Sequence, residues 1–205
     1  MSPATDFDRI APHLALWHGY DPAVKADLYS TCVLTPRGAY LIDPIPLQSE
    51  ARDELFGSGR VSGIIVTNSN HHRASAQLAD RFSVPVFVRC ETFSDKTPRE
   101  FRRVADGDKI CDELRVIGIE GAVAGEIVLH YAPDGATLIV GDALINFEPY
   151  GFTFLPAKYC SNEKEMRRSL RKLLRYKADR MLFAHGSPIL FGASDRLQAL
   201  LDSDA

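Results

Sequence analysis

The sequence lacks the features that would place it in a membrane, secreted or disulfide-rich class. No apolar run approaches the roughly 18 residues that a membrane span needs. The first twenty residues have neither the basic start nor the apolar core of a signal peptide. The four cysteines lie far apart and form no Cys-x-x-Cys pair, so we expect free thiols. These absences predict a cytoplasmic protein that does not enter membranes.

The chain also lacks an excess of positive charge. Its 24 Lys and Arg residues against 27 Asp and Glu residues give a formal net charge of −3. A protein that holds nucleic acid by bulk electrostatics is expected to be basic, so only a local patch could do so here. One basic stretch exists at 164–180. We expect it to be the solvated face of a helix, with a nucleic-acid or protein interface as the alternative.

What is present is the composition of an ordinary globular protein. The chain has 205 residues, of which 45% are hydrophobic and 25% are charged. A chain of this length can form a sizeable core without stabilising disulfides or metal ions, and the length predicts a single domain over 1–205.

Periodicity predicts two β-rich halves, each with a pair of helices. The predicted strands are 26–35, 38–43, 61–67, 84–88, 114–119, 126–132, 136–141 and 180–184. The predicted helices are 48–57, 74–82, 162–177 and 195–202, and the segments 91–110 and 148–160 read as irregular. Hairpins mixed with strand–helix–strand units favour two packed sheets with helices outside, which is a four-layer αββα sandwich.

Four short segments in this order resemble the metallo-β-lactamase superfamily over nearly the whole chain. They are YLID at 40–43, IIVT at 64–67, GDAL at 141–144 and AHGSP at 184–188. Each stands at the predicted end of a strand. The resemblance implies the same αββα fold and, in an intact member, a metal-dependent hydrolase.

The first metal-binding motif of that family departs from its pattern here. The family motif reads T-H-x-H-x-D-H, and Thr67 aligns with its threonine. The four ligand positions are then filled, in order, by Asn68, Asn70, His72 and Arg73. His71 falls in a variable slot.

Two of the family's three later ligands survive. The resemblance places the mid-chain histidine at Ala122, the bridging aspartate at Asp142 and the final histidine at His185. One metal site, aligned with Asn68, Asn70 and Ala122, would be lost, because amides are weak zinc ligands and alanine is none.

The second metal site of the family leaves three alternatives open. His72, Asp142 and His185 offer a workable donor set for a single Zn or Fe ion. Arg73 opposes this, since a guanidinium stays protonated, and it could replace the cation by pairing with Asp142. A solvated polar cleft is the third alternative. We expect no cofactor, with one ion at most.

These residues predict a degenerate, hydrolase-like protein that is catalytically impaired, a pseudoenzyme, or that uses a non-standard site. The alternative is a mononuclear hydrolase of an ester, thioester or amide, with His72, Asp142 and His185 on the metal and His71 as proton shuttle. His71 and His72 could instead be structural. The partner would be an unknown small molecule in the cleft, and the residues predict neither its identity nor an oligomeric state.

Overall fold

The computed structural model describes residues 2–57, 59–89 and 100–203. The chain clusters into two compact units, Met1–Arg103 and Val104–Ala205. The single domain over 1–205 stays a prediction. Among the described residues, no helix is long and apolar enough to cross a bilayer.

The first unit is built on a seven-stranded sheet whose strands follow chain order. These strands are β1 (Asp8–Ala11), β2 (Leu14–Asp21), β3 (Ala26–Thr35), β4 (Gly38–Ile42), β5 (Val61–Ile65), β6 (Val86–Val88) and β7 (Phe101–Arg103). The first four pair antiparallel and the last four pair parallel. Parallel neighbours need a crossover, which helices α1 (Ser49–Phe56) and α2 (Ser75–Phe82) provide.

The helices of the first unit pack on one face of its sheet. Trp17, Leu41 and Ile64 of the strands are buried in one cluster with Leu55 of α1 and Ala79 of α2. Alternate strand residues face this cluster, as the two-residue period of a strand requires. The predicted hairpin of β3 and β4 is confirmed, whereas β1 and β2 were not among the predicted strands.

The second unit holds a five-stranded sheet and a separate hairpin. The sheet consists, in spatial order, of β14 (Arg180–Phe183), β11 (Thr137–Val140), β10 (Ile127–Tyr131), β9 (Leu114–Gly118) and β8 (Lys109–Cys111). The hairpin pairs β12 (Leu144–Phe147) with β13 (Gly151–Phe154). Its helices are α3 (Glu163–Leu170), which a 3₁₀ segment (Arg171–Tyr176) continues, and α4 (Ala193–Asp202).

The apolar stripe of α3 anchors it to the core of the second unit. Met166, Leu170 and Leu173 are fully buried with Val140 of β11. The side chain of Asn162 caps the start of the helix by accepting the Glu165 amide at 3.2 Å.

Three local predictions need correction. The segment 148–160, expected to be irregular, contains β13, because a hairpin partner precedes it in the chain. The helix expected at 162–177 tightens to 3₁₀ after Leu170. The segment 91–110 contains the starts of β7 and β8, while 90–99 lie outside the described residues.

The predicted α/β class is confirmed. Each unit contributes a sheet with helices on it, which is the composition that an αββα sandwich requires of each half. The polar residues singled out by the sequence follow strands β4, β5, β11 and β14.

Candidate functional site

In the first unit, the polar residues gather at the carboxyl ends of β4 and β5. These strands are parallel, with Ile42 opposite Ile65. Asp43 comes directly after β4, and its amide donates to the Ile65 carbonyl at 2.9 Å. Carboxyl ends of neighbouring parallel strands meet at one edge, so Asp43 lies beside the loop that follows β5.

The buried carboxylate of Asp43 collects three donors from that loop. It accepts the Thr67 amide at 2.8 Å, the Thr67 hydroxyl at 2.5 Å and Nδ1 of His71 at 2.8 Å. Burial on its own raises the pKa of Asp43, but the His71 imidazole, Arg73 and the Thr67 hydroxyl outweigh it and bring the pKa below its ordinary value. Asp43 is therefore an ionised acceptor that ties the loop to the sheet.

This contact fixes the orientation and tautomer of His71. An ionised carboxylate can only accept, so Nδ1 must carry the proton that faces Asp43. In the neutral ring, Nε2 then holds the lone pair. Carboxylates orient metal-bound and proton-transferring imidazoles in this way. The family alignment put His71 in a variable slot, and its 2% exposure shows a specific, buried position instead.

Arg73 closes the loop against the backbone of the same unit. Its Nη1 donates to the carbonyls of Tyr29 at 2.5 Å and Asp43 at 2.8 Å. Both Arg73 and Asp43 have left-handed backbones, with φ of +39° and +46°. Such outliers cost of order 1–3 kcal/mol each and persist where the surroundings fix them. The pairing of Arg73 with Asp142 stays a prediction.

The other motif positions of this loop differ in their environment. Asn68 is fully buried, and its side-chain oxygen accepts the Asn70 amide at 2.9 Å. Asn70 is exposed and His72 is half-buried. The Asn68 oxygen, the atom that would have to replace a histidine nitrogen, thus serves a local turn.

In the second unit, Asp142 and His185 are brought together by two parallel strands. Strands β11 and β14 pair with Val140 opposite Phe183, so each of the two residues follows its strand by the same two positions. Nε2 of His185 lies 3.3 Å from Oδ1 of Asp142. Asp142 is buried and His185 is half-buried, so the pair is close to solvent on the histidine side. The sequence predicted this proximity.

A buried glutamate fixes the turn that carries Asp142. Oε1 of Glu126 accepts the amides of Asp142 at 2.9 Å and Ala143 at 3.0 Å, and Glu126 is 0% exposed. The sequence interpretation passed over this residue. The sequence signal for its role is that Glu126 comes directly before the apolar run 127–129. A carboxylate that is buried with such a run needs hydrogen-bond partners.

Gly186 fixes the turn after His185. Its φ is +105°, and an added Cβ would lie 2.0 Å from the carbonyl oxygen of Asn146. The Asn146 amide donates to the His185 carbonyl at 3.2 Å, and the Ser187 amide donates back to Asn146 at 2.9 Å. Only glycine allows this approach, which explains the His-Gly pair in physical terms.

Ala122 is part of the apolar core of the second unit. It is 2% exposed and belongs to the cluster that contains Met166. The neighbouring Gly121, with φ of +80°, lies so close to the start of α3 that an added Cβ would meet the Asn162 carbonyl at 2.3 Å. At the position where the family pattern would place an imidazole, the chain therefore has a core methyl group with no metal-ligating atom.

Comparison with known proteins now assigns the family. A family model described as the metallo-beta-lactamase superfamily matches residues 8–203. The chain belongs to the metallo-β-lactamase superfamily. A search of curated proteins found no match.

Solved structures show the same fold at low sequence identity. The DIM-1 metallo-β-lactamase is 14% identical with a TM-score of 0.76, and the match covers 99% of each chain. A β-lactamase domain protein from Burkholderia ambifaria is 20% identical with a TM-score of 0.74, over all of this chain and 78% of that one. A metallo-β-lactamase family protein from Thermus thermophilus is 18% identical with a TM-score of 0.69, over 96% and 80%.

The residues present do not fit the superfamily's two-metal centre. The Asn68 oxygen is engaged with the Asn70 amide, Arg73 brings a permanent cation, and Ala122 lies in the core. The donors that remain are imidazoles and one carboxylate. In the second unit, Asp142 offers a carboxylate and His185 offers an imidazole. The family resemblance adds the imidazole of His72, and by its chemistry this donor set could hold one ion of the zinc or iron type.

Proposed function

We propose that this chain is a hydrolase-like metallo-β-lactamase-superfamily protein with a degenerate metal centre, impaired as a metal-dependent hydrolase. The observation that carries the proposal is the state of the loop at 67–73. His71 bonds to Asp43, the Asn68 oxygen accepts the Asn70 amide, and Arg73 bonds to backbone carbonyls. These are the contacts of a self-supporting loop.

Loss of the two-metal centre removes specific chemistry. Paired ions hold a nucleophilic hydroxide and stabilise the oxygen that becomes charged in the transition state. Neither task can be performed by the amides of Asn68 and Asn70 or by the methyl group of Ala122. These substitutions favour a pseudoenzyme, whose function would be to bind a small molecule in its cleft.

A mononuclear hydrolase is the second candidate, favoured by the 3.3 Å contact between Asp142 and His185. In it, Asp142 and His185 would hold one Zn or Fe ion together with His72, as the alignment implies. A bound ion would lower the pKa of its water to about 7 and polarise an ester, thioester or amide carbonyl. We take this grouping from the family resemblance.

Within this candidate, the chain's own residues have defined tasks. Asp43 holds the Nδ1 proton of His71, so the Nε2 atom is the one that would accept or return a proton if His71 acts as the shuttle. Glu126 holds the backbone of Asp142 and thereby the direction of its carboxylate.

A hydrolysis assay with and without metal separates the two candidates. The full chain is incubated with p-nitrophenyl acetate and with a thioester, first with chelator and then with zinc or ferrous iron. The degenerate centre predicts that metal leaves the rate at the level of the chelated protein. The mononuclear hydrolase predicts a metal-dependent rate that His185→Ala abolishes.

A matched histidine keeps the assay specific. His13 is exposed, and its carbonyl accepts the Leu34 amide at 2.8 Å near the start of β4, the end of that strand opposite to Asp43. His13→Ala should not change any metal-dependent rate. A metal-dependent rate that survives His185→Ala and Asp142→Ala would refute the mononuclear site.

A further inference from the structure

A second binding region is formed by the basic face of α3. A cavity of about 300 Å³ is lined by Lys164, Arg167 and Arg168 of α3 and by Arg171 of the 3₁₀ segment, with the apolar side chains of Phe154 and Leu201. The four cations are spaced i, i+3, i+4 and i+7, so they share one side of the helical segment. All of these residues belong to the second unit.

Intramolecular partners offset only part of this charge. Arg167 pairs with Glu163 at 2.6 Å, and Arg171 pairs with Asp202 at 3.4 Å. Lys164 and Arg168 are exposed and make no ion pair within residues 2–57, 59–89 and 100–203. Like charges at this spacing repel one another across the mouth of the cavity, and a bound anion would relieve that repulsion.

Helix electrostatics account for some of the cations but not all. Arg167 and Arg168 lie in the last turn of α3, where the helix dipole favours positive charge. Lys164 lies in the first turn, where the dipole disfavours it. The helix dipole therefore accounts for the positions of Arg167 and Arg168 but not for the position of Lys164.

The shape and lining of the cavity indicate the chemistry of a ligand. Arginine presents a planar fork that matches a phosphate group. The Arg167 guanidinium lies 4.5 Å from the centroid of the buried Phe154 ring, and this contact holds the Arg167 cation in the wall of the cavity. A volume of about 300 Å³ suits a small molecule, and the net charge of −3 opposes capture of a long polyanion.

We propose that this cavity binds a small phosphorylated molecule, with the phosphate on the exposed cations Lys164 and Arg168. The cavity shares no lining residue with the polar residues that follow β4, β5, β11 and β14. Its occupancy does not depend on the proposed function.

Calorimetric titration of the full chain tests this with three probes. Adenosine diphosphate and inorganic pyrophosphate should both bind, and adenosine, which lacks a phosphate group, should not bind. Binding should weaken as salt is raised, because the site is exposed. Absence of binding by both phosphate compounds, or equal binding of adenosine, would overturn the proposal. Binding of duplex DNA or RNA in place of both would overturn it in favour of a nucleic-acid surface.

A pair of arginine variants localises the binding. Arg168→Gln should weaken the binding of adenosine diphosphate by about tenfold or more, as expected for loss of a charge-assisted contact. Arg175→Gln, an exposed position of the same helical run that does not line the cavity, should leave the affinity within about twofold. Lys164→Gln repeats the test at the other exposed cation, and equal losses in all three variants would refute the site. Thermal melts check that each variant is folded.

Discussion

The two units support their polar residues in different ways. In the first unit a side chain, Asp43, holds another side chain, His71, and both are buried. In the second unit, side-chain support acts on the backbone, because Glu126 holds the amides of the turn that carries Asp142. The Asp142 carboxylate is then presented to His185.

This difference bears on the proposed loss of the two-metal centre. In the first unit, the asparagine and arginine side chains of the loop bond within the loop and to the backbone. In the second unit, a carboxylate and an imidazole lie together on a turn that Glu126 supports. The proposed loss of ligands in the first unit therefore does not require loss of the supporting structure in the second.

The largest effect is expected from removing the support in the second unit. Glu126→Ala would leave the amides of Asp142 and Ala143 without their buried acceptor. We expect the free energy of unfolding to fall by about 3–5 kcal/mol, from roughly 1–3 kcal/mol for each unsatisfied group. Chemical denaturation measures it.

Two matched variants sharpen that result. Glu126→Gln retains an oxygen acceptor and should cost clearly less than Glu126→Ala. Glu165→Ala removes an exposed carboxylate of α3 and should leave the denaturation midpoint unchanged. A midpoint for Glu126→Ala equal to that of Glu165→Ala would show that Glu126 does not support the turn.

The side-chain network of the first unit gives the next effect. Asp43→Asn removes the charge that accepts from Thr67 and His71 and places an amide donor among donors. We expect destabilisation of about 2–4 kcal/mol, with a change in the Nδ1 and Nε2 resonances of His71 in ¹⁵N NMR as its tautomer is released.

A surface pair of the same residue types provides the control. His18 and Asp27 approach to 4.0 Å, and both side chains are about half exposed. Asp27→Asn should have no measurable effect on stability, because exposed ion pairs contribute little. If Asp43→Asn and Asp27→Asn lowered the free energy of unfolding by similar amounts, the contacts of Asp43 would not stabilise the first unit more than an exposed ion pair does.

The smallest of the three effects is expected at Gly186. Gly186→Ala forces a Cβ toward the Asn146 carbonyl at a φ of +105°. We expect a loss of about 2–3 kcal/mol, from backbone strain and displacement of the turn. Gly151→Ala, at a φ of +65° with nothing within 4 Å of the added Cβ, should cost about 1 kcal/mol. Equal thermal shifts for the two variants would argue against a close approach at Gly186.

The family, the fold class and most elements could be predicted because they depend on local patterns. The apolar runs at 61–67 and 136–141 and the turn at Pro133-Asp134-Gly135 have the spacing that strands and hairpins require. The family resemblance implied that Asp142 and His185, each at a predicted strand end, belong to one site. It implied neither the distance between them nor the role of Glu126.

Long-range contacts account for what the sequence could not predict. The pairing of Asp43 with His71 joins positions 28 residues apart, and no local pattern indicates it. The hairpin that contains β13 was hidden by the glycine, prolines and aromatic residues of its segment. Such signals indicate a loop unless the partner strand is known.

Metal stoichiometry tests the central claim most directly. The untagged chain, purified without chelator and incubated with excess zinc, is desalted and analysed for zinc, iron and manganese per chain, beside Asp142→Ala. The account predicts at most one metal ion per chain. Any ion that the unmodified chain binds should be absent from Asp142→Ala. Two equivalents per chain would contradict the claim that the two-metal centre has been lost.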